Sequence, residues 1–144
     1  ARPAGLETEI FGFGRLPLAF SARCFTARAH GLSKDDCRFR CQDYPDGLPL
    51  HSQEGEALFN INGVQLQSAA PFSVLSELAR VRALGVEYLR ILPLANLTGE
   101  VLDVFHAVLS GVQAPTDGEA RLDELGLTPR CNGFWHGQAG MGVQ

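Results

Sequence analysis

The chain has 144 residues, 45% of them hydrophobic and 19% charged, with a formal net charge of −4. That balance suits one globular domain with a sizeable core, and it speaks against a nucleic-acid binder: Lys34 is the only lysine, and no basic block offsets the acidic total. No apolar run reaches the ~18 residues of a membrane span and no export signal stands at the start, so a soluble, cytoplasmic protein is expected. The opening ARPAGLETEIFGF runs from Ala1 straight into a strand-like pattern, which suggests a piece of a longer protein.

Residues 6–13 alternate loosely, are rich in Ile and Phe, and are closed by Gly12 and Gly14, which predicts a strand. Residues 15–51 show no sustained period. They hold three cysteines, Pro17, Pro45, Pro49 and the turn-forming YPDG. So long a stretch without regular structure is functional or disordered, and its aromatics and cysteines argue against disorder. Residues 57–67, ALFNINGVQLQ, predict a hairpin turning at Asn62-Gly63.

Over residues 71–84 the apolar side chains Phe72, Leu75, Leu78, Ala79, Val81 and Leu84 share a helical face, with Pro71 suited to the first turn and Gly85 to the end. Residues 86–92, VEYLRIL, predict a strand. Thr98 then caps a helix over 99–110, with Glu100 in its first turn and Gly111 beyond its last. The glycine-rich segment 117–144 holds one brief helical turn near 119–125. Strand and helix in alternation predict an α/β fold with a parallel sheet or barrel. The expected organisation is a single domain or barrel fragment over residues 1–144, with a cysteine-rich, metal-binding segment at 15–51.

Cys24, Cys37 and Cys41 are spaced C-x12-C-x3-C, whereas Cys131 stands far downstream. Thiolates suit zinc, copper(I) and cluster iron, because polarizable sulfur matches soft metals. Arg23, Arg28, Lys34, Arg38 and Arg40 would offset the negative charge of thiolate-bound iron and sulfide. Spacing alone leaves four readings open: buried inert thiols, disulfides, a zinc site completed by His30 or Cys131, or an iron–sulfur cluster.

Several other residues invite a chemical reading beside a structural one. Ser21, His30 and Asp35 or Asp36 form a conceivable protease triad, as such sets do in most chains. His51 is expected in a surface loop, and His106 as a partly buried, hydrogen-bonded helix residue. Gly12-Phe13-Gly14 lacks the third glycine of a phosphate loop. Glu9 is placed to line a barrel interior, and Arg90 either binds an acidic substrate at a barrel mouth or sits exposed at an edge. Trp135 and His136 read as a structural plug in preference to catalytic groups.

Glu9-Ile-Phe11, Gly14, Ser21-Ala-Arg23-Cys24, Asp36-Cys37 and Cys41 resemble the signature of peptidase family U32, whose members were first catalogued as collagenase-like proteases. The words GRLPLAFSARCFTARAHGLSKDDC, YPDGLPLHSQEG, FNINGVQ and CNGFWHGQAGMG look most like the branch devoted to oxygen-independent ubiquinone biosynthesis, over residues 7–140. The resemblance implies the C-terminal part of a TIM-type barrel carrying a cysteine-rich insertion. It implies a 4Fe–4S cluster whose ligands include Cys24, Cys37 and Cys41, a fourth cysteine upstream of this chain, and no ligand role for Cys131. It also implies a heterodimer with a sister protein, acting on the ring of a ubiquinone precursor without O2, with prephenate as the oxygen donor. Pro17 stands where the sister branch has a further cysteine, which favours the first branch. The alternatives are a U32-type peptidase and a zinc-stabilised binding module, and no catalytic residue is assigned.

Overall fold

The strand expected at residues 6–13 forms as β1, Glu9–Gly14, in a computed structural model that describes residues 5–33 and 35–143. Lys34 and the first four residues lie outside the described residues. The described residues form a mixed α/β fold with two sheets and four α-helices, and their strands close no barrel. The chain divides into two compact units, one made of Ala1–Gly14 with Phe72–Gln144 and the other of Arg15–Pro71. The second takes in the whole cysteine-rich stretch.

In the first unit β1 is the central strand. It pairs parallel with β7, Tyr88–Ile91, and antiparallel with the two-residue β6, Phe72–Ser73. Phe13 is wholly buried and meets Phe105 edge to face at 5.8 Å. Phe105 belongs to α3, Thr98–Leu109, whose buried Val101, Val104, Phe105 and Val108 follow the i, i+3, i+4, i+7 stripe of a core-facing helix. Gly14 has φ +123°, and a Cβ there would lie 2.7 Å from the Leu92 Cβ, so the exit from β1 requires glycine.

Three expectations for this unit need correction. The helix expected over 71–84 starts late: Phe72–Ser73 is strand, Leu75–Glu77 a 3-10 turn, and only Leu78–Ala83 is α-helix (α2). The backbone donors explain it, because Ser73 N–H bonds Cys131 O and Val74 N–H bonds Gly12 O. Pairing with neighbours has claimed the groups a helical first turn would leave open. Thr98 is the first residue of α3 and not its cap. Its hydroxyl donates to Leu94 O and accepts from Leu94 N–H, closing the preceding loop. Finally, the brief turn near 119–125 is a ten-residue helix, α4, Pro115–Glu124. Its contact with α3 runs through Gly118, where a Cβ would stand 2.8 Å from Val108 Cγ2, and through the fully buried Leu122.

The second unit is an antiparallel sheet ordered β2, β5, β4, β3, made of Pro17–Phe20, Gln65–Ser68, Ala57–Asn62 and Leu48–His51. The short helix α1, Phe25–Ala29, and a 3-10 turn, Arg40–Asp43, lie in the same unit. Residues 15–51 are therefore more regular than their sequence suggests, but elements of four or five residues are too short to show a period. The hairpin forms as expected with its turn one residue later. Asn62 pairs with Gln65, which leaves Gly63-Val64 as the loop, and Gly63 takes φ +60° at the first central position.

The interior of this unit is polar. Among the described residues its buried side chains are Thr26, Asn60, Gln67 and Ser68, with Ala27 and the terminal Pro71 the buried apolar residues. Asn60 Nδ2 donates to Asp46 O at 2.9 Å and to Gln67 Oε1 at 3.0 Å. A Cβ on Gly47, at φ +93°, would fall 2.1 Å from that same Nδ2. Gly47→Ala is accordingly expected to destabilise the protein by about 2 kcal/mol or more, from the left-handed backbone and the displaced asparagine together. A fall in the urea midpoint measures it, and an unchanged midpoint would refute the polar-interior account.

Candidate metal centre

Cys24 is placed by the hairpin. Ser21 N–H bonds Val64 O and Phe25 N–H bonds Gly63 O, each at 2.9 Å, while Gly63 N–H returns a bond to the buried Thr26 hydroxyl at 3.2 Å. The thiol then caps α1, its Sγ accepting the Ala27 N–H at 3.4 Å. An N–H directed at sulfur also stabilises a thiolate that holds a metal.

Cys37 and Cys41 bracket a tight turn in which Arg38 and Phe39 both adopt left-handed backbone, φ 52° and 50°. Arg40 N–H closes the turn onto Cys37 O at 3.2 Å. Two successive non-glycine residues in that region cost about 1–2 kcal/mol each, and such strain collects at ligand-holding and other functional segments. The 3-10 turn carrying Cys41 packs against α1. His30, at the end of α1, stacks on Tyr44 at 5.6 Å, and its Nε2 is buried without a hydrogen-bond partner. YPDG reads in sequence only as a turn, so Tyr44 as a stacking platform escapes it.

Three thiols of one unit, half-buried at Cys24 and Cys37 and exposed at Cys41, stand outside any disulfide. That donor set suits a soft metal, and the structure gathers it only in part. Among the described residues no group of three or more His, Cys, Asp and Glu side chains is placed to hold a metal ion. The expected counter-charge is also partly committed, since Arg38 pairs with Asp36 at 3.4 Å and Arg40 with Asp43 at 2.9 Å. Lys34 is outside the described residues.

Cys131 lies in the other unit, 3% exposed, and burial raises its thiol pKa. A raised folded value means that its contribution to stability is complete below the unfolded thiol value and is lost as pH rises through the folded one. Iodoacetamide at neutral pH is expected to label Cys41 at least about tenfold faster than Cys131, because the buried thiol is both shielded and protonated. Mass spectrometry over time measures this, and equal rates would contradict the burial of Cys131.

Most of the remaining candidates take structural places. Ser21 Oγ accepts from Arg23 N–H, and His30 Nε2 has no partner, so neither enters a triad. Glu9 and Arg90 form an ion pair across β1 and β7. His51 ends β3, exposed. His106 is exposed on α3, which corrects the expected partial burial, because it falls opposite the Val101, Val104, Phe105, Val108 stripe. Trp135 Nε1 donates to Glu77 Oε2 at 3.0 Å, His136 Nε2 lies 3.6 Å from Glu77 Oε1, and the Arg80 guanidinium stands 5.5 Å from the indole centroid. Trp135 and His136 thereby fasten the C-terminal segment to the start of α2. Gly12 and Gly14 belong to β1. No helix of the described residues is long and apolar enough to cross a membrane. Comparison with protein-family models finds no match to the chain, and comparison with solved structures finds none either.

Proposed function

We propose that this chain is the C-terminal part of a UbiV-like member of peptidase family U32, an iron–sulfur protein of oxygen-independent ubiquinone biosynthesis. One observation carries the reading. The unit Arg15–Pro71 bears three thiols outside disulfides yet has, among its described residues, Ala27 and its last residue Pro71 as its buried apolar side chains. A unit of that size with so little apolar burial gains stability from a staple, and a metal held by thiolates is one. Cys24, Cys37 and Cys41 would hold a 4Fe–4S cluster with a fourth cysteine from upstream of this chain, in a TIM-type barrel completed by the parent protein. When bound, such a cluster supplies electron transfer or an open iron for a ligand. The protein's own contribution is the Ala27 N–H aimed at the Cys24 sulfur and the strained turn that joins Cys37 to Cys41. Its partner would be a UbiU-like sister protein, and the pair would hydroxylate a ubiquinone precursor in the cytoplasm with prephenate as oxygen donor.

A zinc-stabilised binding module is the second reading, favoured by the unpartnered, buried Nε2 of His30, a nitrogen donor in the same unit as the thiols. Preparing the parent protein without O2 and measuring metal content and visible absorption tests both. Brown protein with about four irons per chain supports the cluster, and colourless protein with about one zinc supports the module. Metal-free protein from that preparation overturns both.

A further inference from the structure

Ten arginines lie among the described residues, and eight of them have a side-chain partner. Arg15 donates to Ser68 O, Arg82 to Leu109 O, and Arg80 stands over Trp135. Arg38, Arg40, Arg90, Arg121 and Arg130 pair with carboxylates. The two left over, Arg23 and Arg28, line the same hollow, about 510 Å³ in volume, together with Cys24, Ala27, Leu32 and Ser33. Among the described residues no acidic side chain lines it. A protein that carries more acidic than basic side chains has thus left two guanidinium groups uncommitted at one concavity while pairing nearly all the others.

From this placement we infer that the hollow beside Cys24 binds a small organic oxyanion, a carboxylate or phosphate monoester on an apolar body. Guanidinium forks match both groups bidentately and remain charged at any working pH. Ala27, 3% exposed, and the half-buried Leu32 supply an apolar wall, and the Ser33 hydroxyl adds a neutral donor. The volume falls within the range of about 300–1,000 Å³ typical of small-molecule sites. Bulk charge does not attract this ligand, since the net charge is −4, so the attraction is local to the pair. The inference stands apart from the cluster, because the ligand is held by arginines and the thiol is only a neighbour.

The test is calorimetric titration of the metal-free chain with benzoate, phenyl phosphate and the neutral benzyl alcohol. Expected is binding of at least one anion, weakened several-fold between about 0.05 and 0.5 M salt, with no binding of the alcohol. The stronger of the two anions identifies the head group. Arg23→Gln and Arg28→Gln should each lower affinity about tenfold or more, while Arg23→Lys and Arg28→Lys retain part of it. Arg121→Gln, in the other unit, should change nothing. Absence of anion binding at about 10 mM, equal binding of the alcohol, or affinities untouched by the glutamine variants would overturn the inference. Because no metal is present in the titration, its failure leaves the iron measurement standing, and the reverse also holds.

Discussion

Replacing Phe13 with alanine is expected to lower the stability of the protein by about 3–5 kcal/mol, the range for a fully buried aromatic cut back to a methyl group. Phe13 has no exposed surface and lies on the central strand, where its ring meets Phe105 of α3 edge to face. Its loss removes a sheet-to-helix contact and the ring pairing, itself about 0.5–1.5 kcal/mol. Collapse into the space is hindered because β1 is held by strands on both sides. Set against a typical total of about 5–15 kcal/mol, the variant should unfold at a much lower denaturant concentration. Leu102→Ala on the outer face of α3, where Leu102 is 48% exposed, should shift the midpoint by less than about 0.5 kcal/mol. Similar midpoints for the two variants would show that the core does not run through the β1 and α3 contact.

The elements legible in the sequence were those whose packing leaves a hydrophobic period. α3 buries residues at helix spacing, β7 alternates exposed with half-buried ones, β1 is a short Ile- and Phe-rich run, and Gly85 and Gly111, at φ +70° and +74°, stop α2 and α3 where expected. Where packing leaves no such trace, the reading failed. α4, PTDGEARLDE, looks polar throughout because its close contact is made by a glycine. β6 shares its apolar residues with a plausible helix, and its pairing with β1 and with Cys131 decides between the two. The thiols were legible as a group, and the polar interior around them was not. Asn60 and Gln67 alternate in a hairpin like any surface pair, and their mutual hydrogen bond makes them an interior. The same limit hid the Arg23 and Arg28 hollow, since a sequence shows charges without showing which of them are already paired.

Stability of the metal-free fold and iron content should respond separately across the cysteine variants, which separates a ligand from a packed thiol. Cys24→Ser removes the sulfur while leaving a hydroxyl at the start of α1, and serine caps helices well, so the metal-free fold should be unharmed or slightly steadied. Cys41 is exposed, so Cys41→Ser loses no packing. In the parent protein prepared without O2, each of these, and Cys37→Ser, should drop from about four irons per chain toward none, because a serine hydroxyl is a hard, reluctantly ionised donor for cluster iron. Cys131→Ser should do the reverse. It places a hydroxyl where a 3% exposed thiol was, at a cost of about 1–3 kcal/mol, and leaves the iron in place. Iron analysis of each variant of the parent protein, beside thermal unfolding of the same variant of the metal-free chain, reads both quantities. Iron kept by Cys24→Ser and lost from Cys131→Ser would reverse the ligand assignment and, with it, the proposal that residues 24, 37 and 41 serve one metal.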